Sequence, residues 1–283
     1  MKTIVTGSDG YLGSKIITAL RQYSTEIIKI DKNSPKNRID LCDKNSLSSI
    51  LLSNNEDFEL IHLAGQLPGT GSAGKIHKNS EQSINKLIEV TNPRRILFIS
   101  STAVYPIENT LQILTPAPWE VYGNSKLRVE QTIIDNSQSY TILRSGTMYD
   151  ETRTGGIQRI IRRGISGKRI FLPKFGEVFH PFISTKDVVK TICAWSQNES
   201  LMPNRIVDLV APNSITMSNL ILSNTNSDTN IGNLPRILKI LGSDNLPIAG
   251  ISKWHLKALF YNIKEFPNTA PELNLSPMPL LLK

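Results

Sequence analysis

Two residues four positions apart, Tyr122 and Lys126 in the segment YGNSK, carry the side chains of a proton-transfer pair. On a helix this spacing puts both side chains on the same face. A nearby ammonium group favours the phenolate form of tyrosine, so the pair would make a working acid or base near neutral pH. An exposed tyrosine and lysine on an amphipathic helix have the same spacing, and the motif alone favours that plainer interpretation.

The segment YLGSK has the same spacing at Tyr11 and Lys15. Both residues belong to the glycine-rich stretch TGSDGYLG and to the first turns of the helix predicted after it. We therefore interpret their spacing as incidental. The surroundings of each pair, rather than the motif, must distinguish the two.

A run of hydroxyl side chains, Ser100, Ser101 and Thr102 in ISSTAVYP, follows a predicted strand upstream of Tyr122. In an open α/β sheet the chemistry lies at the carboxyl ends of the strands. A serine hydroxyl at such an end would share a proton with the same substrate oxygen as Tyr122 and would stabilise a developing alkoxide. These hydroxyl groups favour a catalytic interpretation of YGNSK.

The stretch TGSDGYLG places Gly7, Gly10 and Gly13 between a predicted strand and a predicted helix. Glycines at this position let the backbone approach a pyrophosphate, and the helix N-terminus offers free N–H groups. Asp31 ends the next strand, where a carboxylate can accept hydrogen bonds from an adenosine ribose. The alternative is a glycine-rich turn that binds no ligand.

Strand-like and helix-like segments alternate along the chain, which predicts a parallel sheet with helices on both faces. Six strands are predicted in the first 150 residues: KTIVTG, EIIKID, RIDL, FELIHLAG, RRILFISS and YTILRS. Predicted helices separate several of them, including one capped by Asp43 and one from about Ser80 to Val90. The fold class is α/β, a Rossmann-type doubly wound parallel sheet with a smaller C-terminal substrate-binding α/β region.

The division falls at residue 150, with a nucleotide-binding domain over 1–150 and a substrate-binding region over 151–283, some of whose segments return to the first domain. In the second part we predict a helix ending at Gly167, strands RIFL, VFHPFI and RIVDLVA, and a helix capped by Ser184 or Thr185. WHLKALFYNI is a predicted late helix. The polar stretch SNTNSDTNIGN is a predicted mobile loop.

Composition limits the function classes. The chain has 283 residues, of which 39% are hydrophobic, enough for a substantial core. The formal net charge is +8, but the basic residues are scattered and no RNA-binding motif occurs, so we predict no nucleic-acid partner. Cys42 and Cys193 lack metal-ligand spacing, which predicts reduced thiols and no metal site. No segment has signal-peptide or membrane-spanning character, so we expect a cytoplasmic protein without membrane contact.

A series of features follows in order along the chain: TGSDGYLG, Asp31, DL at Asp40 and Leu41, HLAG at 62–65, Asn79, SSTAVYP, YGNSK, ILRSGTMY and HPFISTKDVV. In this order and spacing they resemble the extended short-chain dehydrogenases/reductases, the NAD-dependent epimerase/dehydratase family. Each feature alone is weak evidence. Together they cover most of the chain.

The resemblance implies that Ser101 is the catalytic hydroxyl, Tyr122 the general acid/base, and Lys126 the residue that holds the nicotinamide ribose and tunes the tyrosine. Its NAD-binding residues would be Gly7, Gly10, Tyr11, Leu12 and Gly13 at the pyrophosphate, Asp31 at the adenosine ribose, Asp40 and Leu41 at the adenine, and Leu63, Ala64 and Gly65 along the cofactor. Asp31 favours NAD over NADP because a carboxylate repels a 2′-phosphate, although Lys32 and Lys36 lie nearby. Tyr105 is interpreted as structural or pocket-lining.

Departures from the family narrow the substrate. Nucleotide-sugar 4,6-dehydratases carry an acidic pair after the catalytic hydroxyl, whereas this chain has Thr102 and Ala103, so 4,6-dehydration is not expected. Thr147 stands where epimerases often have Asn, and His180 with Pro181 where they often have an Arg. Thr102, Thr147 and His180 are the predicted substrate contacts. His180 is interpreted as pocket-lining or structural rather than as a base. Four arginines, Arg159, Arg162, Arg163 and Arg169, either supply charge to a phosphate or form a solvated face.

The sequence thus predicts an NAD-dependent oxidoreductase or epimerase that acts on a secondary alcohol or ketone, most plausibly a nucleotide-sugar 4-epimerase or 4-ketoreductase. Two alternatives stay open. One is a dehydrogenase or reductase of a non-sugar alcohol or ketone, and the other is a non-catalytic dinucleotide-binding sensor or scaffold. The resemblance also implies a homodimer formed through helices around 80–90 and 121–136.

Overall fold

The computed structural model of the chain describes residues 2–23, 26–34, 38–43, 46–47, 57–65, 73–106, 116–118, 121–150, 157–173, 179–213, 215–223, 229–234, 263 and 265–276. The chain divides into two compact units. The first comprises residues 1–104, 120–144 and 188–207. The second comprises residues 105–119, 145–187 and 208–283.

A six-stranded sheet forms the centre of the first unit, with the strand order β10-β5-β4-β3-β1-β2. Its strands are β1 (Lys2–Thr6), β2 (Glu26–Ile30), β3 (Phe58–His62), β4 (Arg95–Ser101), β5 (Tyr140–Ser145) and β10 (Arg205–Leu209). The pairings of β1 with β2, β1 with β3 and β3 with β4 are parallel. The α/β fold class expected from the sequence is confirmed.

The sixth strand of this sheet differs from the predicted one. RIDL forms only a single bridge, between Arg38 and Asp31, and the Asp40 carboxylate then accepts the N–H of Cys42 at 2.9 Å, which turns the chain. The place in the sheet is taken by β10, from the segment RIVDL more than 160 residues later. The prediction that RIDL is a strand of the sheet is wrong, because this local turn ends its extended backbone.

Helices of the first unit are α1 (Tyr11–Leu20), α2 (Ala73–Thr91), α3 (Val121–Asn136) and most of α5 (Thr185–Gln197). Short 3-10 turns follow α1 at Arg21–Tyr23 and β4 at Thr102–Val104. α2 begins at Ala73, so the predicted glycine-rich loop ends earlier than Gly74. The Ser184 hydroxyl accepts the N–H of Lys186 at 3.2 Å and caps α5, as predicted.

The core of the first unit lies between the sheet and its helices. All five residues of β3 are buried, as expected for a central parallel strand. Ile4, Leu60, Ile84 and Ile133 bring β1, β3, α2 and α3 into one apolar cluster. Of the predicted helix after Asp43, the structure describes only Ser46 and Leu47, which are helical.

The second unit contains three two-stranded sheets and two helices within the residues that the structure describes. β6 (Thr147–Tyr149) pairs with β9 (Phe182–Ser184), β7 (Ile170–Pro173) with β12 (Ile231–Leu234), and β8 (Phe179–His180) with β11 (Ile215–Thr216). Its helices are α4 (Ile157–Ile165) and α6 (Met217–Ser223), and a 3-10 turn spans Pro271–Leu273. These elements surround a cluster that includes Leu172, Phe182 and Leu220.

One prediction for the second unit is wrong and one is outside the described residues. The predicted mobile loop SNTNSDTNIGN ends in ordered structure, because Ile231–Leu234 pair as β12 with β7. The predicted helix WHLKALFYNI lies outside the described residues except for Ile263. Across the described part of the chain, no helix combines the length and apolarity needed to cross a membrane.

Candidate active site

Tyr122 and Lys126 lie in the first turns of α3. The Lys126 ammonium is 5.9 Å from the centroid of the Tyr122 ring and 4.7 Å from that of Phe98. It donates a hydrogen bond of 2.8 Å to the carbonyl oxygen of Ile99 on β4. This contact argues against the alternative of an exposed lysine on a solvated helix face.

Tyr11 and Lys15 make the same kind of contact, with the Lys15 ammonium 5.3 Å from the Tyr11 ring centroid. The spacing therefore brings a lysine over a tyrosine in both helices, as helix geometry requires. The Lys126 ammonium is in addition hydrogen-bonded to a strand carbonyl of the central sheet. The two pairs are thus alike in spacing, and the packing around Lys126 marks the catalytic candidate.

Burial sets the charge of the lysine. Desolvation lowers the pKa of Lys126 to about 8, and the negative charge of Glu130 opposes that shift. Burial, and to a smaller extent the charge of Lys126, lowers the pKa of His62 to about 3. At neutral pH an ammonium group next to a neutral imidazole is thus expected beside the tyrosine.

Ser101 is the last residue of β4, and the 3-10 turn Thr102–Val104 that follows packs against α3. The Ser101 hydroxyl accepts the N–H of Ala103 at 3.2 Å and is partly exposed. Thr102 is buried. The first unit therefore holds all three predicted catalytic residues, two on α3 and one at the strand end against which α3 packs.

The glycine loop has room for backbone only at two positions. Gly7 has φ +67°, and a Cβ there would lie 2.9 Å from the backbone nitrogen of Ala64. A Cβ at Gly13 would lie 2.2 Å from the carbonyl oxygen of Gly7. Gly10 precedes α1, whose N-terminus has no side-chain cap and no acidic residue in its first turn. This uncapped helix start fits a pyrophosphate, which would accept the free N–H groups.

Asp31 is anchored beside this loop. One of its carboxylate oxygens accepts the N–H of Asp9 at 3.0 Å, and the other accepts the N–H of Asn33 at 2.8 Å. A carboxylate has about four lone-pair sites, so each oxygen retains capacity for a ribose hydroxyl. The geometry fits the role that the resemblance implies for Asp31.

The loop after β3 is held by Thr6, a residue that the sequence analysis did not single out. Its hydroxyl oxygen lies 3.2 Å from the backbone nitrogens of both Leu63 and Ala64, and 2.8 Å from Nδ1 of His62. Because the two N–H groups occupy its lone pairs, the hydroxyl must donate its proton to Nδ1. His62 is therefore neutral with its proton on Nε2, in agreement with its lowered pKa.

The same loop reaches the catalytic lysine, since a Cβ on Gly65 would lie 3.4 Å from the Lys126 ammonium nitrogen. The predicted cofactor wall of Leu63, Ala64 and Gly65 thus ends beside Lys126. At the predicted adenine site, Asp40 is exposed and Leu41 packs into the core cluster. Tyr11 and Leu12 are partly exposed at the start of α1.

In the second unit the predicted substrate contacts Thr147 and His180 meet. The Thr147 hydroxyl and Nε2 of His180 are 2.7 Å apart. Burial lowers the pKa of His180 to about 3, so the imidazole is neutral near pH 7 and a poor base. This agrees with the interpretation of His180 as pocket-lining or structural.

Two other predicted features of the second unit are now placed. Tyr105 is fully buried, and its hydroxyl lies 2.9 Å and 3.0 Å from the two carboxylate oxygens of Asp208, which indicates a structural role. The side chains of four arginines are exposed, as on a solvated face: Arg159, Arg162, Arg163 and Arg169.

An open cavity of about 700 Å³ also lies in the second unit. Phe179, Leu222 and Ile231 form its apolar wall, and the other described residues that line it are Thr216, Ser218, Asn219 and Thr229. None of these seven residues is ionisable. Among the residues that the structure describes, no group of three or more His, Cys, Asp or Glu side chains forms a metal site.

Comparisons with known proteins agree with this geometry. UDP-glucose 4-epimerase from Bacillus subtilis (strain 168) is 29% identical over 177 residues, 51% of this chain and 52% of that protein, so the chain spans about half the length of this curated relative. The structure of Pal from Bacillus thuringiensis superposes with a TM-score of 0.74 at 18% identity, covering 99% of this chain and 95% of Pal. UDP-glucose 4-epimerase from Thermus thermophilus, solved with NAD, gives 0.66 at 17% identity, covering 82% and 86%.

The structural likenesses show the fold alone at these identities. The sequence carries the decisive comparison, because the model of one protein family matches residues 3–209. That match includes the glycine loop, Asp31, Ser101 and the Tyr122–Lys126 pair. The resemblance inferred from the motifs is thereby confirmed, and the chain belongs to the NAD dependent epimerase/dehydratase family.

Proposed function

We propose that this protein is an NAD-dependent oxidoreductase or epimerase acting on a secondary alcohol or ketone of a nucleotide-activated sugar, as a 4-epimerase or 4-ketoreductase. The observation that carries the proposal is the position of Lys126, whose ammonium contacts both the Tyr122 ring and the carboxyl end of β4. The Bacillus subtilis relative supports the nucleotide-sugar class.

In this proposal Tyr122 accepts the proton of the substrate hydroxyl during oxidation and returns it during reduction. The Lys126 ammonium stabilises the phenolate form of Tyr122. The Ser101 hydroxyl donates a hydrogen bond to the same substrate oxygen and stabilises its developing charge. The NAD that the glycine loop and Asp31 would hold supplies hydride exchange with the carbon that bears this oxygen.

Thr102, Thr147 and His180 are the proposed substrate contacts. Thr102 and Ala103 are both buried and provide no carboxylate after Ser101. This supports epimerisation or ketoreduction over 4,6-dehydration, which needs an acidic group for water elimination. The cytoplasmic location expected from the sequence stays a prediction.

Replacing Tyr122 with Phe tests the proposal. Because Phe cannot transfer a proton, we expect turnover of UDP-glucose to fall by about 10²–10⁴-fold, while NAD affinity stays nearly unchanged. Lys126→Met should reduce both turnover and NAD affinity. The measurements are chromatography of the nucleotide sugars after incubation and calorimetric titration with NAD.

Lys15→Met is the matched control, since Lys15 has the same spacing from its tyrosine. Its turnover should match that of the wild type. Retained activity in Tyr122→Phe would contradict the proposal. If the wild type turns over no nucleotide sugar but binds NAD and a partner protein responds to that binding, the sensor alternative is correct.

Mass spectrometry of the purified protein separates epimerase from ketoreductase. An epimerase must return the hydride to its substrate, so we expect NAD to copurify with it. Free exchange of the cofactor, with net formation of the reduced form, would instead identify a dehydrogenase or ketoreductase.

We also propose a homodimer through α2 and α3, which pack side by side in the first unit. An ion pair of 3.2 Å between Arg128 and Glu81 already links the two helices. Light scattering on the purified protein tests the oligomeric state, and a monomeric mass would contradict this proposal.

A further inference from the structure

Glu130 continues the face of α3 that carries the catalytic pair. It follows Lys126 by four residues and Tyr122 by eight, so the three side chains lie along one side of the helix. Glu130 is 1% exposed. A carboxylate is almost never fully buried unless it is paired.

The carboxylate of Glu130 joins α3 to two strands. It accepts a hydrogen bond from the Ser100 hydroxyl on β4. Arg144 on β5 donates to it from Nε at 3.1 Å and from Nη2 at 2.7 Å. Ser100 and Arg144 are themselves buried. Because Ser100 directly precedes Ser101, the same contacts fix the strand end that carries the predicted catalytic hydroxyl.

Fold stability alone does not account for such a pair. Replacing a buried ion pair with apolar residues of similar volume is often neutral or stabilising. The placement of Glu130 gives it a second effect, since a carboxylate one helical turn from Lys126 favours the ammonium form that burial opposes. The other ionisable groups near Lys126 among the described residues are Tyr122 on α3, neutral His62 on β3 and Arg144 on β5.

We propose that Glu130 is a positioning residue of the active site, which holds a negative charge one turn beyond Lys126 and fixes the ends of β4 and β5 against α3 through Ser100 and Arg144. This inference rests on the proposed role of Lys126. Glu130 itself touches neither substrate nor cofactor in this proposal. It acts through Lys126 and Ser101.

Titration of Lys126 in the cofactor-free protein tests the inference directly. The protein is labelled with ¹³Cε-lysine, the Lys126 resonance is assigned with Lys126→Met, and its midpoint is followed with pH. Glu130→Gln removes the negative charge but keeps the shape and leaves Arg144 positive. We expect the Lys126 midpoint to fall by about one pH unit or more. The upper limb of the pH–rate profile should move in the same direction.

A matched control exists in the same unit. Glu59 and Arg95 form a second buried ion pair of 2.6 Å, near the opposite ends of the strands. Glu59→Gln should destabilise the fold comparably but leave the Lys126 midpoint unchanged. An unchanged midpoint in Glu130→Gln, or an equal shift in Glu59→Gln, would overturn the inference.

If Glu130→Gln does not fold, the double variant Glu130→Gln/Arg144→Met replaces it, because that variant leaves no unpaired buried charge. Its Lys126 midpoint should lie below that of the wild type, and a midpoint at the wild-type value would overturn the inference. The titration requires neither substrate nor NAD. Failure of the proposed function would therefore appear in the turnover assay and not in this measurement.

Discussion

At the scale of single residues, Asp31 combines two tasks. Its carboxylate holds the glycine loop through the N–H of Asp9 and the start of the following turn through the N–H of Asn33. In the proposed function it also accepts hydrogen bonds from the adenosine ribose. Asp9 is a second acidic residue in the same loop, and it is exposed. Both negative charges oppose the 2′-phosphate of NADP.

Asp31→Asn should separate these tasks. The amide keeps one acceptor oxygen but loses the charge, so we expect NAD affinity to fall by about 10-fold or more, as the loss of a charged hydrogen bond predicts. NADP affinity should rise because the repulsion is gone. Calorimetric titration with each cofactor measures both changes. Asp43→Asn, at an exposed position later in the chain, serves as the control, and an unchanged ratio of the two affinities in Asp31→Asn would contradict the assignment.

At the scale of elements, the sheet of the first unit carries a buried ion pair near each end of its strands. Near the carboxyl ends, Glu130 and Arg144 connect α3 to the sheet. Near the amino ends, Glu59 accepts hydrogen bonds from Arg95 at 2.6 Å and Thr3 at 2.7 Å. The Arg95 guanidinium stacks 4.1 Å from the Trp195 ring centroid and thereby joins α5 to β4.

Removing one partner of the second pair should be costly. Arg95→Met leaves the Glu59 carboxylate buried without its cation and removes the stacking on Trp195. We expect the free energy of unfolding to fall by about 3–5 kcal/mol. The double variant Glu59→Gln/Arg95→Met should recover a large part of that loss, because no unpaired charge remains. Urea denaturation measures both, and equal losses in the single and double variants would contradict this account.

At the scale of the whole molecule, two buried neutral histidines make stability depend on acid. Burial lowers the pKa of both His62 and His180 to about 3, whereas the unfolded chain has the ordinary value of 6.5. The unfolded state therefore binds more protons between these values. The stability that neutral burial provides is fully present above pH 6.5 and is lost progressively as the pH falls towards 3.

His62→Gln should weaken this acid dependence. Each histidine is expected to contribute a loss of about 2 kcal/mol between about pH 6.5 and about pH 5, at about 1.4 kcal/mol per pH unit. Urea denaturation at both pH values measures the difference for the wild type and the variant. A glutamine can still accept the proton of the Thr6 hydroxyl, which limits other damage. An equal loss in both proteins would mean that His62 titrates normally in the folded state.

Much of the architecture was predictable because it depends on neighbouring residues. The β-branched runs, the apolar spacing of α1 and the order of the glycine loop, Asp31 and YGNSK predicted the fold class and the family. Gly7 and Gly13 are needed for local backbone reasons, a positive φ and a close approach between segments of one turn. Such constraints appear directly in the sequence.

Only the tertiary structure decided the questions that depend on distant residues. Both Tyr–Lys spacings bring a lysine over a tyrosine, but the hydrogen bond from Lys126 to the carbonyl of Ile99 depends on how α3 packs on β4. RIVDL rather than RIDL completes the sheet, and Glu130 meets Ser100 and Arg144, through contacts that no local pattern specifies. The sequence by itself determined the elements and the identity of the reactive groups. The packing of helix on strand decided which of those groups are buried together, because desolvation and hydrogen bonding act through space and not along the chain.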